Sequence, residues 1–346
     1  MRKINFPFGF GGMLFAFIML ILMPGCSGGN DNGDNGDRGV LTSDFTPCWG
    51  APQGPSIPPA QSRVLIASSA NGIDFQRLAD PKQALVIDRV GVPDAVVLAS
   101  GRILLYFVAG CKYYEGAEHN VDEIAVGVSD DNGSGWVFKN VTFTGIPGNL
   151  GRAVDPNVVL MPSGELSLFG TMWIGNDPKP RIYSFLSKDG GFTYAFQGLR
   201  YDPDACPVDG VFDPENYRFS DANWQIFTGG ACGHALSTDG GNTFTNLGSF
   251  SDMYVTHEIA VTDTPGAYRA YVLGAGGLAI RSFRSDAAPW SVWTLEAGER
   301  LALGTASAME SCVLGFPTVV RTANQGYLMF YQAVIPGIGC EGGNNP

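Results

Sequence analysis

The chain has 346 residues, of which 45% are hydrophobic and 16% charged, with 47 Gly and 22 Pro. This composition is typical of a loop-rich globular protein and excludes a disordered or largely helical chain. The formal net charge of −12 argues against nucleic acid or anionic lipid as the main partner, because both would repel an acidic surface.

Residues 1–25 have the pattern of an export signal. Arg2 and Lys3 precede an apolar run of eleven residues, 13–23, which is too short to cross a bilayer as a helix and fits a secretory signal. The run leads into LMPGC, which resembles the lipobox of bacterial lipoproteins and implies lipidation of Cys26. An ordinary signal peptide with an incidental Cys is the alternative. The pattern predicts an exported protein anchored by lipid to the bacterial cell envelope, with the outer membrane as the expected site.

The segment after Cys26 predicts a tether. Residues 26–46 begin with a Gly/Asn/Asp-rich stretch that cannot bury apolar surface, so we expect a flexible linker before a folded domain over 47–346. Loss of the signal removes Arg2 and Lys3 and no acid, which takes the net charge to −14.

One eight-residue phrase recurs in the domain. SKDGGFTY at 187–194 and STDGGNTF at 237–244 share Ser, Asp, two Gly, Thr and a final aromatic residue, and SDDNGSGW at 129–136 and SSANGIDF at 68–75 are weaker copies. Their starts lie 61, 58 and 50 residues apart. A period of this size indicates a repeat architecture.

A strand–turn–strand pattern also recurs. Each copy has a β-branched strand, a Gly or Asn turn and an aromatic-rich strand, which is typical of a hairpin. The five copies are PDAVVLASGRILLYF (93–107), DPNVVLMPSGELSLF (155–169), DPENYRFSDANWQIF (213–227), HEIAVTDTPGAYRAYV (257–272) and PTVVRTANQGYLMFY (317–331).

Each hairpin is followed by a third strand, the repeated phrase and a fourth strand. This order predicts an all-β, five-bladed β-propeller with four antiparallel strands per blade. The last hairpin has no outer strands after it, and the strand RVLIASS (63–69) has no hairpin before it. We therefore expect the N-terminal strands to complete the fifth blade. The repeated phrase resembles the Asp-box (BNR repeat) of sialidases and related propellers, which implies a structural turn between the third and fourth strands.

Acidic residues lie near the predicted starts of the innermost strands, which converge on one mouth of a central channel. They are Asp94, Asp155, Asp213 and Glu258, and the fifth blade has Thr318 there. Clustered acids raise one another's pKa and can place a proton donor beside an ionised partner, as glycoside hydrolysis requires.

The pattern resembles glycoside hydrolase family 43, five-bladed enzymes with an Asp base, an Asp modulator and a Glu acid. VDPNVVLMPSGELSLFG carries the resemblance. By blade order it implies that Asp94 is the base, Asp155 or Asp213 the modulator and Glu258 the acid. It implies a carbohydrate partner, no required cofactor and a monomer. His257 is a weak metal candidate, and a structural calcium ion in the central channel is the corresponding expectation.

Two alternatives stay open. A non-catalytic propeller would bind glycan or protein at the cell surface, with the acids only capping strand-entry turns. A sialidase-like enzyme needs an Arg cluster and an Arg-Ile-Pro phrase, but the chain has Gly-Val-Pro at 91–93. The candidate substitutes for its arginines are Arg89, Arg152, Arg218 and Arg321.

Predicted sugar contacts lie near hairpin ends. Arg89 and Arg152 are candidates to bind substrate, and Tyr113, Trp173 and Trp224 are candidates to stack on sugar rings.

Six cysteines follow Cys26, an even number that favours disulfides in an exported protein. Positions in the repeats favour Cys206 with Cys232 around one hairpin, Cys48 with Cys340 at the two chain ends, and Cys111 with Cys312 between blades, out of fifteen possible connectivities.

Overall fold

The computed structural model describes residues 41–50, 60–110, 123–202, 210–229, 232–250, 255–274, 277–286, 292–303, 309–324 and 326–338, without the side chains of Glu123 and of 255–258. The chain divides into two units, Met1–Leu41 and Thr42–Pro346, and every strand belongs to the second. The predicted signal peptide and Cys26 lie outside these residues. Within the described ranges no helix is long and apolar enough to cross a membrane.

The described strands form five sheets, which confirms the predicted all-β, five-bladed propeller. Each sheet is built outward from one innermost strand, and the innermost strands contact one another in a closed ring. The first four blades use the chain in order. The first blade consists of β4 (Val90–Val97), β5 (Ile103–Ala109), β6 (Glu123–Ser129) and β7 (Val137–Asn140), and the second of β9 (Val154–Leu160), β10 (Leu166–Met172), β11 (Arg181–Ser187) and β12 (Thr193–Tyr201), with β8 (Thr142–Thr144) beside β12. The third blade consists of β13 (Phe212–Arg218), β14 (Trp224–Gly229), β15 (His234–Ser237) and β16 (Thr245–Gly248). The fourth blade consists of β17 (Val255–Thr264), β18 (Ala267–Leu273), β19 (Ala279–Ser285) and β20 (Thr294–Leu295), with β21 (Leu301–Ala302) beside β19.

The fifth blade joins the two ends of the domain, as predicted. Its inner strands are β22 (Ser311–Arg321) and β23 (Tyr327–Val334), and its outer strands are β1 (Ser62–Ser69) and β2 (Gln76–Arg77). β1 pairs with β23 along its whole length, from Ser62 opposite Val334 to Ser69 opposite Tyr327. The short strand β3 (Leu85–Asp88) pairs with the start of β1, and a four-residue helix, α1 (Pro81–Ala84), precedes it. The pairing of β1 with β23 closes the ring without leaving β23 as an exposed edge.

Apolar side chains fill the spaces between neighbouring blades. Phe169 of the second blade packs against Trp224 of the third, with ring centroids 6.2 Å apart. Trp224 is only 1% exposed, so the prediction that it stacks on a sugar is wrong: its large ring belongs to the core between blades.

Three copies of the repeated phrase make the same turn, and the fourth makes a related, shorter one. In the second blade Ser187 Oγ donates to Asp189 Oδ1 over 2.7 Å and accepts from the Gly191 N–H over 3.0 Å. The same two bonds form from Ser129 and from Ser237. In the fourth copy Ser69 donates to Asn71 Oδ1 and accepts from the N–H of Gly72, three residues later instead of four. The phrase therefore holds the turn between a blade's third and fourth strands by short-range hydrogen bonds.

Three cysteines in the described part of the chain, Cys48, Cys232 and Cys312, are disulfide-bonded. The residues that we predict as their partners, Cys340, Cys206 and Cys111, lie outside the described ranges. The three pairings therefore stay predictions.

Two adjacent glycines of one turn give a matched test of how the turn packs on the next blade. Gly190 and Gly191 both have positive φ, 85° and 100°. A Cβ on Gly191 would overlap the hydroxyl of Tyr106, which donates to the Gly191 carbonyl over 3.1 Å, whereas a Cβ on Gly190 meets nothing nearer than 3.9 Å. We expect Gly190→Ala to lower the free energy of unfolding by about 1 kcal/mol and Gly191→Ala by about 2–4 kcal/mol, because overpacking adds to backbone strain. Equal losses in denaturant unfolding would show that the contact with Tyr106 is unimportant.

Candidate active site

Four of the five innermost strands contain the same distortion. The residue before a proline has a left-handed backbone, and the strand pairing shifts register at this point. These residues are Val92 (φ 51°), Asp155 (φ 53°), Asp213 (φ 49°) and Phe316 (φ 43°). Left-handed backbone is costly for residues other than Gly, above all for a β-branched residue such as Val92. The shift redirects each strand where it enters the channel.

The side chain two residues after this distortion occupies an equivalent position in four blades, and pairing with Tyr271 places Ala260 at this position in the fourth blade. Each such residue pairs with an aromatic residue of the second strand, such as Asp94 with Tyr106 and Glu215 with Phe227. We call the five residues at this position the belt. The belt consists of Asp94, Asn157, Glu215, Ala260 and Thr318.

This register corrects the expected equivalence of the acids. Asp155 and Asp213 lie at the distortion, two residues before the belt, and are not equivalent to Asp94. The belt acid of the third blade is Glu215, which was not among the predicted site residues.

Belt side chains join four of the five blades to the next one. Asp94 Oδ2 accepts from the Val158 N–H over 2.5 Å, and Glu215 Oε1 accepts from the Val261 N–H over 2.8 Å. The same contact joins Thr318 to the Ala95 N–H over 3.1 Å and Asn157 to the Asn216 N–H over 2.8 Å. The fourth blade differs, because Ala260 has only a methyl group at this position.

Asn157 also links the two belt acids. Its Nδ2 lies 2.6 Å from Glu215 Oε2 and 3.5 Å from Asp94 Oδ2. On the other side of Asp94, Thr318 Oγ1 donates to Asp94 Oδ1 over 3.1 Å. The two carboxyl groups therefore share a single amide donor near the channel axis.

Burial raises the pKa of both belt acids. Asp94 is 8% exposed and Glu215 9% exposed. Burial raises the pKa of Asp94 to about 7, and burial followed by the negative charge of Asp94 raises the pKa of Glu215 well above its ordinary value. Near neutral pH the pair therefore retains at least one proton, and it can exchange that proton near the physiological range.

The channel contains one cavity on each side of the belt. The mouth cavity, on the side where the inner strands begin, has a volume of about 30 Å³. The hairpin cavity, on the side of the hairpin turns, has a volume of about 370 Å³. Asp94 and Glu215 line both cavities, so the pair forms the neck between them.

The predicted acids divide between the neck and the mouth. Asp94 lies in the neck, and Asp213, which is half-buried, lines the mouth cavity. Asp155 is also half-buried, at the equivalent position of the second blade. Glu258 and His257 belong to β17, but their side chains lie outside the described residues, so their proposed roles stay predictions.

The predicted binding residues lie away from the neck. Arg152 is exposed and Trp173 half-buried, and the Gly151 N–H donates to the Trp173 carbonyl over 2.9 Å, which places these two candidates on neighbouring segments. Arg89 is half-buried with φ 60°, and its buried Nε has no hydrogen-bond partner. Tyr113 lies outside the described ranges.

The described residues include no group of three or more His, Cys, Asp or Glu side chains that could hold a metal ion. The expected calcium ion therefore has no assigned ligands among the described residues.

Comparisons with known proteins agree with the fold. No protein-family model matches the chain, and no curated protein matches its sequence. Among solved structures, a thermostable family-43 glycoside hydrolase matches with a TM-score of 0.52 and 12% identity, over 71% of this chain and 88% of the other. A protein of unknown function from Dyadobacter fermentans DSM 18053 matches with a TM-score of 0.51 and 15% identity, over 82% of this chain and 87% of the other.

A Hadza microbial sialidase matches with a TM-score of 0.46 and 16% identity, over 74% of this chain and 57% of the other. The five-bladed propeller of this chain is thus a fold that it shares with the family-43 glycoside hydrolase. At these identities the likeness concerns the fold.

Asp94→Asn tests the protonation of the neck. The Asp94 pKa is raised on folding, so the folded protein binds more protons than the unfolded chain between about pH 4 and pH 7, and stability falls as the pH rises through this window. Asn preserves the acceptor for the Val158 N–H and cannot ionise. We expect the free energy of unfolding of the wild type, measured relative to Asp94→Asn, to fall by ~1.4 kcal/mol per pH unit across the window.

Asp74→Asn is the matched control, because Asp74 is exposed on the surface of the fifth blade. If the free energies of unfolding of the wild type and of Asp94→Asn change with pH in the same way from pH 4 to pH 7, a raised pKa of Asp94 is contradicted.

Proposed function

We propose that this protein is an exported glycoside hydrolase that binds extracellular glycans over the channel mouth, with the small mouth cavity taking up a water-sized group at the bond that is cleaved. One observation carries the proposal: a buried carboxyl group with a pKa of about 7, Asp94, lines a cavity whose rim carries a second, half-buried carboxyl group, Asp213. Hydrolysis of a glycosidic bond needs a protonated and an ionised carboxyl group in one site. The shared fold with a family-43 glycoside hydrolase is compatible with this chemistry.

The proposed reaction uses the neck as the proton source. The Asp94–Glu215 pair donates its proton to the glycosidic oxygen as the bond from that oxygen to the anomeric carbon breaks. A water molecule attacks the anomeric carbon, and its proton passes to a mouth carboxylate, for which Asp213 is the first candidate and Asp155 and Glu258 are the others. Proton transfer from this carboxylate back to the pair, through solvent, restores the starting state.

The accessible aromatic and cationic candidates would bind the sugar. Arg152 and Trp173 lie on neighbouring segments of the second blade, where a guanidinium group can bind hydroxyl groups and an indole ring can stack on a pyranose face. Arg89 is the corresponding candidate beside the first blade. The predicted location, a lipid anchor on Cys26 at the bacterial cell envelope, belongs to the same proposal, and lipid labelling of the wild type but not of Cys26→Ser tests it.

A second candidate, a propeller that binds glycans without cleaving them, is favoured by the belt itself. Asp94 and Glu215 each accept a backbone N–H from the next blade, which is sufficient reason for a carboxylate at each position. In this case the neck stabilises the ring, and only the loops around the mouth contact the glycan.

Activity measurements separate the two candidates. The purified protein would be screened against aryl glycosides and polysaccharides, with glycan binding measured in parallel. With a substrate in hand, we expect Asp94→Asn and Asp213→Asn each to lower kcat at least about 100-fold, because each removes an acid–base group. Asp74→Asn, on the exposed surface, should keep full activity.

Glycan binding without cleavage of any substrate would favour the second candidate. Full activity of both Asp94→Asn and Asp213→Asn would exclude the neck and mouth carboxyl groups from the reaction.

A further inference from the structure

A polar groove lies between the fifth and first blades, at the end of the molecule opposite the mouth. Its volume of about 530 Å³ falls in the range of small-molecule pockets, about 300–1,000 Å³. Three turns line it: the shorter turn between β1 and β2, the hairpin turn between β22 and β23, and the turn between β6 and β7. We call it the turn groove, and the residues that define it are Asn71, Gln76, Asn132, Thr322 and Asn324.

The wall on the fifth blade is the fourth copy of the repeated phrase, the copy that departs from the others. Its turn is one residue shorter, because Ser69 Oγ accepts from the N–H of Gly72 and not from a residue four positions later. The amide of Asn71 is occupied inside this turn: its Oδ1 accepts from Ser69 Oγ over 3.0 Å, and its Nδ2 donates to Asp74 Oδ2 over 2.9 Å. The wall is therefore fixed by its own hydrogen bonds before any ligand binds, which reduces the ordering cost of binding.

Three further amides line the groove, one from each turn or its flank. Gln76 follows the shorter turn, Asn324 lies in the hairpin turn of the fifth blade, and Asn132 lies in the turn of the first blade. All three residues are exposed, so a ligand can reach them. Each amide offers an NH₂ group that donates and a carbonyl oxygen that accepts, and neighbouring hydroxyl groups of a sugar ring match this combination. The groove therefore suits a polyhydroxylated ligand that reaches from one turn to the next.

The charge of the groove selects among such ligands. Among the described residues that line it, Asp74 is the one charged residue, and the protein as a whole has a formal net charge of −12. A groove with an acid and no basic side chain disfavours an anionic ligand, such as a polymer of uronic acids. A neutral saccharide is the ligand class that fits both the amides and the charge.

We propose that the turn groove binds a neutral oligosaccharide segment of a polymeric glycan through the amides of Gln76, Asn132 and Asn324. Because the groove lies at the opposite end of the molecule from the mouth, it can hold the polymer without occupying the proposed catalytic site. Each amide exchanges water for a sugar hydroxyl group, so a single contact adds little affinity, and contacts from three turns act together.

Affinity electrophoresis of the full-length protein tests this site. The gels would contain arabinoxylan, galactomannan or dextran, which are neutral, or polygalacturonate, which is anionic. At least one neutral polysaccharide should retard the wild type, with a dissociation constant at least about tenfold lower than that for polygalacturonate. The triple variant Gln76→Ala/Asn132→Gly/Asn324→Ala should weaken this binding at least about tenfold, because it removes three hydrogen-bonding groups. Gly is chosen at 132 because Asn132 has a left-handed backbone, with φ 56°.

Gln83→Ala/Gln197→Ala is the matched control, because both amides are exposed and neither lines the groove. This variant should bind like the wild type, and an equal loss in both variants would overturn the proposal. Retardation by none of the neutral polysaccharides would also overturn it, as would binding that survives in the triple variant, which would place the glycan elsewhere. Equally tight binding of polygalacturonate would contradict the neutral ligand class. Aryl glycosides are too small to reach from the mouth to the groove, so their hydrolysis tests the proposed enzyme independently of these outcomes.

Discussion

Closure of the propeller depends on how the innermost strands satisfy their free edges. An innermost strand has a hydrogen-bonded neighbour on one side only, so backbone N–H groups on its other side face the channel and need acceptors. Here four of the five belt side chains supply these acceptors, and each of the four reaches from its own blade to the next. The belt therefore connects the blades in series at the axis, while β1 and β23 close the ring at its circumference.

The chemistry of the neck follows from this structural role. A side chain that caps an inner edge lies deep in the channel, and where it is a carboxyl group, burial raises its pKa. Asp94 and Glu215 are both in this situation and share Asn157, so the second charge is disfavoured by the first as well as by burial. The same contacts that stabilise the ring thus create a proton-holding pair, which either a catalytic or a purely structural channel can contain.

The sequence predicted the fold better than the site. Periodic hairpins and the repeated phrase depend on local turn chemistry, which is visible in the residues, and so the blade count and the role of the N-terminal strands were predictable. The site depends on register. Proximity to the strand starts groups Asp94 with Asp155 and Asp213, although Asp155 and Asp213 are themselves the left-handed residues before a proline and Asp94 lies two positions after one. Alignment on the prolines, Pro93, Pro156, Pro214 and Pro317, would have revealed Asp94, Asn157, Glu215 and Thr318 as one set. The fourth blade has no proline there, so Ala260 gave no such signal.

Titration of the neck carboxyl groups tests the account most directly. Carboxyl ¹³C resonances of Asp94 and Glu215, assigned by their loss in Asp94→Asn and Glu215→Gln, would be followed from pH 3 to pH 9. The belt predicts that the pair titrates near or above pH 7 and that substitution of Asp94 lowers the apparent pKa of Glu215, because it removes the neighbouring charge. Two independent titrations near pH 4 would show that the carboxyl groups are solvated and uncoupled, and would contradict the belt as described.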